Sequence, residues 1–356
     1  MKLQYHLLFI TLSFLIVNSC HDSGLKKIKN VSSVSHFRPD SNKVIENIFF
    51  GSCSNQALDQ AYWNVIASKN PDLFIWTGDV IYSDTEDMDE HENQYYVLKN
   101  NPDYGSFIKK YPVIGIWDDH DYGVNDGGAN YSKKKESKKL FLDFLDIPTK
   151  DKVYKHQGIY TSYTFGQDLR TVKIYLLDTR YFRSDLKLSS KESSRYEPQS
   201  QGTILGDEQW KWLENEVKTS KATYNIFVSG IQVIPDDHGY EKWGNFPHER
   251  QRFLDLIEKS KVKNPIIISG DRHLAELSEY TMQDFSGVIT ELTSSGLTHS
   301  FEGANEFNAY RRGELFDGKN FGQIKLIYGG SKAMCKLYIY DIQGNMVFEH
   351  GLIGEY

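Results

Sequence analysis

Trp117-Asp118-Asp119-His120-Asp121-Tyr122-Gly123-Val124-Asn125-Asp126 is the stretch from which the remainder of the chain can be placed. It follows directly on Tyr111-Pro112-Val113-Ile114-Gly115-Ile116, an apolar run bounded by polar residues that reads as a buried strand. Between positions 118 and 126, five residues are Asp or Asn and one is His. Carboxylates a few ångströms apart repel one another, and each needs a partner once water is removed. A hard cation supplies that partner most directly and leaves His120 for proton transfer. A solvated acidic loop with a structural histidine is the plainer alternative, and the other strand ends weigh against it.

Those ends repeat one arrangement. The run 44–50 is a strand candidate that ends in Gly51-Ser52-Cys53-Ser54-Asn55, and 72–76 is another that ends in Thr77-Gly78-Asp79. The runs 160–165 and 172–177 read as a hairpin, the second ending in Asp178-Thr179-Arg180. Residues 225–228 run into Ser229-Gly230-Ile231-Gln232, and 265–268 into Ser269-Gly270-Asp271-Arg272-His273. Helical spacing falls between them, over 59–68, 132–146, 207–217 and 247–260. The stretch from 79 to Lys110 has room for one or two more helices, with its acidic part 84–92 expected to be solvated. Residues 183–204 read as a surface loop, and the tail from Phe321 alternates, with a hairpin turn at Gln343-Gly344-Asn345. The order βαβα with a β-rich end predicts α/β layers around mixed sheets. Six strands deliver polar side chains just past their carboxyl ends, where open α/β sheets bind ligands.

The bulk properties narrow the classes. At 356 residues the chain can bury an ample core, and no internal repeat or second domain boundary is visible after residue 45. The net charge of −7 gives no general basic field and argues against a nucleic-acid binder recruited by charge. Residues 1–20 read as a signal peptide: a short basic start, an apolar core of 7–17 and then Val17-Asn18-Ser19-Cys20. The last four resemble a bacterial lipobox, so a lipoprotein anchored through Cys20 is expected, with a secreted or periplasmic soluble protein as the alternative. Residues 21–44 read as a flexible tether and 45–356 as one catalytic domain. Cys53 and Cys335 remain, either as a disulfide or as two free thiols.

Together the strand ends offer Cys53, Asp79 with Tyr82, Asp119 with His120, and Asp271 with His273. A phenolate or thiolate in a ligand set favours iron over magnesium, while carboxylates with Asn125 could hold calcium. Two cations bridged by a carboxylate such as Asp79, roughly 3.5–4 Å apart, would clamp a phosphoryl group and acidify a bound water.

These elements resemble a known family. Gly78-Asp79-Val80-Ile81-Tyr82 is similar to the GDxxY element of purple-acid-type metallophosphoesterases, in the calcineurin-like superfamily. Trp117-Asp118-Asp119-His120-Asp121 resembles the WDDH[DE] element of PhoD-like alkaline phosphatases. Phe50-Gly51-Ser52-Cys53-Ser54, Leu177-Asp178-Thr179-Arg180 and Gly270-Asp271-Arg272-His273 resemble further elements of that family, in the expected order. The resemblance implies two packed mixed β-sheets flanked by helices, a four-layer sandwich. It implies Cys53, Asp79, Tyr82 and His273 around ferric iron, and Asp119, Asp271 and Asn125 for calcium or another second cation. His120 would sit beside the leaving group or a phosphate oxygen, as general acid or electrostatic partner. Arg180 would fork onto phosphate oxygens, with a structural salt bridge to Asp178 or a neighbour as the plainer reading. Gln232 departs from the pattern, since many relatives carry a metal-binding His at that strand end. The chain also lacks room for the N-terminal β-sandwich of larger relatives.

The expected function is therefore metal-dependent hydrolysis of phosphoric mono- or diesters by a metal-activated water, in a monomer with no nucleic-acid patch. No Gly-x-Ser-x-Gly elbow suggests a side-chain nucleophile. A surface lipoprotein that keeps the fold and metal for binding, without turnover, is the competing expectation. Of the weaker candidates, His238, His248 and His299 read as loop or rim residues, His299 at the edge of the pocket. Trp243 and Phe246 read as packing residues.

Overall fold

Three short strands, β1 (Asn47–Gly51), β2 (Leu73–Thr77) and β3 (Val113–Ile116), run parallel and are buried along nearly their whole length. A strand covered on both faces has no polar side to show, which is why 48–50 and 73–76 are continuously apolar. The computed structural model describes residues 34–282, 287–329 and 332–354. Helix α1 (Tyr62–Ser68) makes the crossover from β1 to β2, and α2 (Met88–Lys99) and α3 (Pro102–Ile108) make the one to β3. A single turn, α4 (Asp119–Tyr122), follows β3, and α5 (Lys134–Phe144) comes next.

The antiparallel hairpin of β4 (Thr161–Phe165) and β5 (Val172–Leu176) opens a second sheet. The loop after it holds a two-stranded ribbon, β6 (Lys187–Leu188) with β7 (Tyr196–Glu197). Helix α6 (Gly206–Thr219), β8 (Tyr224–Ser229), α7 (Pro247–Lys259) and β9 (Pro265–Ser269) continue it, with β5, β8 and β9 parallel. Strands β10 (Ala275–Thr281), β11 (Val288–Ser294) and β12 (Arg311–Phe316) complete the order β12-β10-β11-β9-β8-β5-β4. The chain then returns to the first sheet through β13 (Asn320–Ile327), antiparallel to β1, and ends in β14 (Ala333–Asp341) and β15 (Met346–Gly354). That sheet has the order β15-β14-β13-β1-β2-β3.

Alternation in the second sheet sorts its side chains into two cores. Ile174, Leu176, Ile226, Val228, Ile266 and Ile268 join Ile48, Phe50 and Ile324 of the first sheet. Tyr175, Phe227 and Ile267 turn the other way and pack with Trp210 and Leu213 of α6 and Phe253, Leu254 and Ile257 of α7. Outside the first sheet, the Trp63 ring of α1 lies 4.8 Å from Phe74, 5.3 Å from Trp76 and 4.9 Å from Tyr104 of α3. The layers are helices, sheet, sheet and helices, the α/β architecture expected.

Three expectations need correction or extension. Residues 34–44 do not behave as a tether: Val34 packs on the core, Phe37 N donates to Ile108 O at 2.7 Å, and Lys43 pairs with Asp72 at 2.7 Å. Buried His36 fixes the segment further. Its backbone N donates to Asp146 Oδ2 at 2.8 Å, its Nδ1 meets the same oxygen at 3.1 Å, and its Nε2 meets Tyr104 Oη at 3.0 Å. The acidic side chains of 84–92 are exposed or half-buried as expected, and the stretch runs into α2, whose His91 is fully buried. Strands β10 and β11 carry buried Glu276, Ser278, Thr290, Glu291 and Thr293. Polar side chains at core-facing positions erase the hydropathy signal of a strand, so neither was expected. Cys53 and Cys335 are both free thiols. The signal peptide, Cys20 and the tether as far as residue 33 lie outside the described residues. Among the described residues no helix is long and apolar enough to cross a membrane.

The contact to the N-terminal segment is pH-dependent. Burial works to raise the Asp146 carboxyl, but hydrogen bonds from His36 and Lys99, the latter at 2.8 Å, outweigh it and bring it down to about 2. A carboxyl lowered by folding stabilises above its unfolded pKa of about 4, and that contribution is lost as pH falls through about 2. Asp146→Asn, which tolerates the left-handed backbone there (φ 55°), should lower unfolding free energy by about 1–3 kcal/mol at pH 7. Denaturant titration should show the difference shrinking below pH ~4.

Candidate metal centre

The carboxyl ends of both parallel triplets, β1-β2-β3 and β5-β8-β9, lead into the polar segments. Past β1, the Cys53 thiol lies 3.3 Å from Asp79 Oδ2, past β2, and 3.1 Å from Ser295 Oγ, past β11. Tyr82 Oη meets His273 Nε2 at 3.2 Å. Ligand atoms of Cys53, Asp79 and His273 all lie within 4.8 Å of one another, and so do those of Asp79, Asp118 and Asp119. Asp79 belongs to both trios.

The backbone is bent to achieve this. Cys53 (φ 60°), Asp79 (φ 48°), Asp271 (φ 67°) and His273 (φ 54°) all occupy the left-handed region, which side-chain-bearing residues enter only under constraint. Glycines make the close approach possible. At Gly78 (φ +103°) a Cβ would stand 2.4 Å from Asp118 Cβ, and at Gly230 one would stand 2.2 Å from Asp118 Oδ1.

The charges in this cluster are not balanced by protein groups alone. Burial, then the neighbouring Cys53 and Asp119, push Asp79 well above the usual carboxylate range. Burial with Asp118 and Asp119 does the same to Asp271. Burial raises Asp118 to about 7 against the pull of Arg180, and raises the Cys53 thiol to about 11. Asp119 is the exception: Arg180 and His120 overcome its burial and bring it down to about 2. Burial, then His299 and His120, lower His273 to about 3, so its imidazole stays neutral and can serve as a ligand. Two buried atoms, Asp118 Oδ2 and His273 Nδ1, have no hydrogen-bond partner among the described residues. Thiol, phenol, imidazole and several carboxylates that repel one another form a donor set suited to cations of high charge.

His120 sits beside the trios. Its backbone N donates to Asp119 Oδ1 at 3.0 Å, its ring lies 4.1 Å from that of Tyr82 between centroids, tilted by 32°, and its Nδ1 meets Asp84 Oδ2 at 2.6 Å. Asp84 fixes which imidazole nitrogen faces away, a part the sequence did not reveal. Asp118 was likewise not marked as a ligand, although its carboxylate completes the second trio.

Arg180 takes the plainer of its two expected roles, a structural ion pair, and Asn125 lies away from both trios. Arg180 is fully buried, with Nε 2.7 Å from Asp118 Oδ1 and Nη1 2.6 Å from Glu241 Oε2. Nε and Nη1 are engaged inside the protein, where they orient Asp118, while Nη2 lies 4.0 Å from Asp119 Oδ1 with no hydrogen-bond partner among the described residues. Asn125 is exposed, and its amide donates to Asp126 Oδ2 at 2.8 Å instead of joining either trio. Gln232, the departure from the family pattern, is fully buried and donates to Glu276 Oε1 at 2.7 Å and Thr293 Oγ1 at 2.8 Å. His299 lies at the centre, its ring 4.4 Å from His273 and 5.0 Å from Tyr82. His248 is exposed and His238 is buried, while Trp243 and Phe246 pack in the α6–α7 core.

A structure of PhoD has the same overall fold, with a TM-score of 0.64 over 88% of this chain and 73% of that one, at 17% identity. Purple acid phosphatase PPD1 from yellow lupin (Lupinus luteus) seeds superposes with a TM-score of 0.61 over 90% of this chain and 56% of that one, at 12% identity. The chain thus shares the fold of these two proteins. Residues 48–323 match the family model of the PhoD-like phosphatases, and the chain belongs to that family. It is 23% identical over 299 residues to alkaline phosphatase D of Bacillus subtilis (strain 168), covering 69% of this chain and 50% of the relative. The chain therefore spans about half the length of that curated relative. The family implies more than one metal ion, and the two trios are a cluster that could hold them.

If Arg180 orients the centre from within, its loss is first a loss of stability. Arg180→Met leaves Asp118 buried without its cation and Glu241 with Arg183 alone, and should lower unfolding free energy by about 3–5 kcal/mol. Thermal and denaturant melts of the variant measure this. An unchanged melt would return Arg180 to a role toward substrate.

Proposed function

We propose that this chain hydrolyses phosphoric esters, monoesters, diesters or both, with water as the attacking group. The sharing of Asp79 by two ligand trios where the strand ends meet is the observation that carries the reading. In this reading Cys53, Asp79, Tyr82 and His273 hold ferric iron. Asp79, Asp118, Asp119 and Asp271 hold calcium or another divalent ion. When bound, such ions supply Lewis-acid polarisation of phosphoryl oxygens and acidify water.

The chain's own groups orient and move protons. Asp84 engages Nδ1 of His120, so Nε2 is the nitrogen left to carry a proton to the departing alkoxide. Cleavage of the P–O bond then releases the alcohol, and the water oxygen remains on phosphorus. Arg180 keeps Asp118 turned into the centre, and Glu241 engages both Arg180 and Arg183, the latter at 2.7 Å. The placement at the cell envelope, through a lipid on Cys20, rests on the sequence of residues 1–20.

Parallel assays of the metallated protein on an aryl monoester and an aryl diester test the reading, and at least one should turn over. His120→Ala should lower kcat by about 10²–10⁴-fold, and Asp84→Asn by about 10-fold, with metal content unchanged. Failure of every ester would favour a binding module that keeps the fold and metal. Tyrosinate or thiolate on ferric iron should also colour the protein, more weakly in Tyr82→Phe. A colourless, active zinc protein would remove iron from the account and leave hydrolysis in place.

A further inference from the structure

The segment 295–310, between β11 and β12, is fastened to the strand ends that carry the centre. Leu297 N donates to Ser52 O at 3.1 Å, and Thr298 N donates to Cys53 O at 3.2 Å. Ser295 Oγ accepts from His273 N at 2.9 Å, and Phe301 N donates to His273 O at 2.9 Å. A segment tied to both Cys53 and His273 moves with the centre and is held rigidly beside it.

Its side chains follow from that fastening. The Thr298 hydroxyl donates to Cys53 O at 2.9 Å and accepts from Asn55 N at 2.9 Å. Its single proton is thus used, so His299 Nδ1, 2.9 Å from the same oxygen, must be the donor. His299 Nε2 has no partner among the described residues, and the ring stands edge-on to His273 at 88°. Two residues on, the Phe301 ring lies 4.5 Å from His273, tilted by 41° to it, yet 46% of the residue is exposed. A large aromatic face fixed by backbone bonds and left in water contributes little to the core. Next to a cluster of ligand residues it is placed to meet what enters there.

We propose that Phe301, with His299 beside it, forms a fixed aromatic wall at the mouth of the centre. The wall selects phosphate esters whose alcohol part is a planar aromatic or heteroaromatic ring. A single ring face suits a ring, whereas an acyl chain requires an extended apolar groove. The inference rests on the hydrolase reading of the same centre.

Binding of phenylphosphonate and methylphosphonate to the full metallated chain, followed by calorimetry, tests it without turnover. Phenylphosphonate should bind about 10-fold more tightly to the wild type, as expected for stacking on one aromatic face. Phe301→Ala should erase that preference and leave methylphosphonate affinity within about twofold, while Phe301→Tyr should keep it. Phe301→Leu retains apolar volume without a flat face and should lose the preference, which separates stacking from general hydrophobic contact. Equal affinities in the wild type, no binding of either phosphonate, or a preference that survives Phe301→Ala would each overturn the proposal. Ester turnover without a phenyl preference would sink the wall alone. A phenyl preference in a protein that turns over no ester would sink the hydrolase reading instead.

Discussion

Repulsion among buried carboxylates is the constraint on which the rest of the structure depends. Asp79, Asp118, Asp119 and Asp271 are gathered where desolvation disfavours charge and each neighbour raises the energy of the next. The protein answers only part of that debt. Among the described residues Arg180 pairs with Asp118 but is shared with Glu241, His120 helps hold Asp119 charged, and Arg272 acts on Asp271. The remainder calls for positive charge from outside the chain, and so the centre reads as a place for cations and not as an acidic surface.

The fold explains how such an assembly is tolerated. Two parallel triplets of strands are rigid, buried and continuous with the inter-sheet core, so the segments past their ends have little freedom to move apart. Left-handed backbone at Cys53, Asp79, Asp271 and His273 turns side chains inward that would otherwise spread along the strand directions. Gly78 lets the Asp118 backbone and Cβ pass close by, and Gly230 makes room for its carboxylate. Sites on regular elements hold their geometry better than sites on loops, and the segment bearing His299 and Phe301 gains similar rigidity through its bonds to Ser52, Cys53 and His273.

Much of this could be read from the chain, and the reasons for the remainder are specific. Cys53, Asp79, Tyr82, Asp119, His120, Asp271 and His273 follow apolar runs, and a buried strand followed by polar residues is a local pattern. The partners of His120 and Arg180 are not local. Asp84 lies 36 positions from His120, and Glu241 lies 61 from Arg180, so only the tertiary fold shows that they meet. Asp118 and Asp119 are neighbours of one type, and no spacing rule says that the first also turns into the centre. The sequence left Arg180 between phosphate and a structural ion pair because it does not show the burial that decides between them. Strands β10 and β11 were hidden by Glu276 and Glu291, whose partners are Gln232 with Arg311 and the backbone of Val233 and Ile234.

The central claim is that one carboxylate serves two cations. Anomalous diffraction from crystals of the protein grown with its native metals, collected at the absorption edges of the metals present, tests this directly. Two ions about 3.5–4 Å apart with Asp79 between them are expected, one of them also bound by Cys53 and His273. A single ion, or ions bound away from Asp79, would contradict the account.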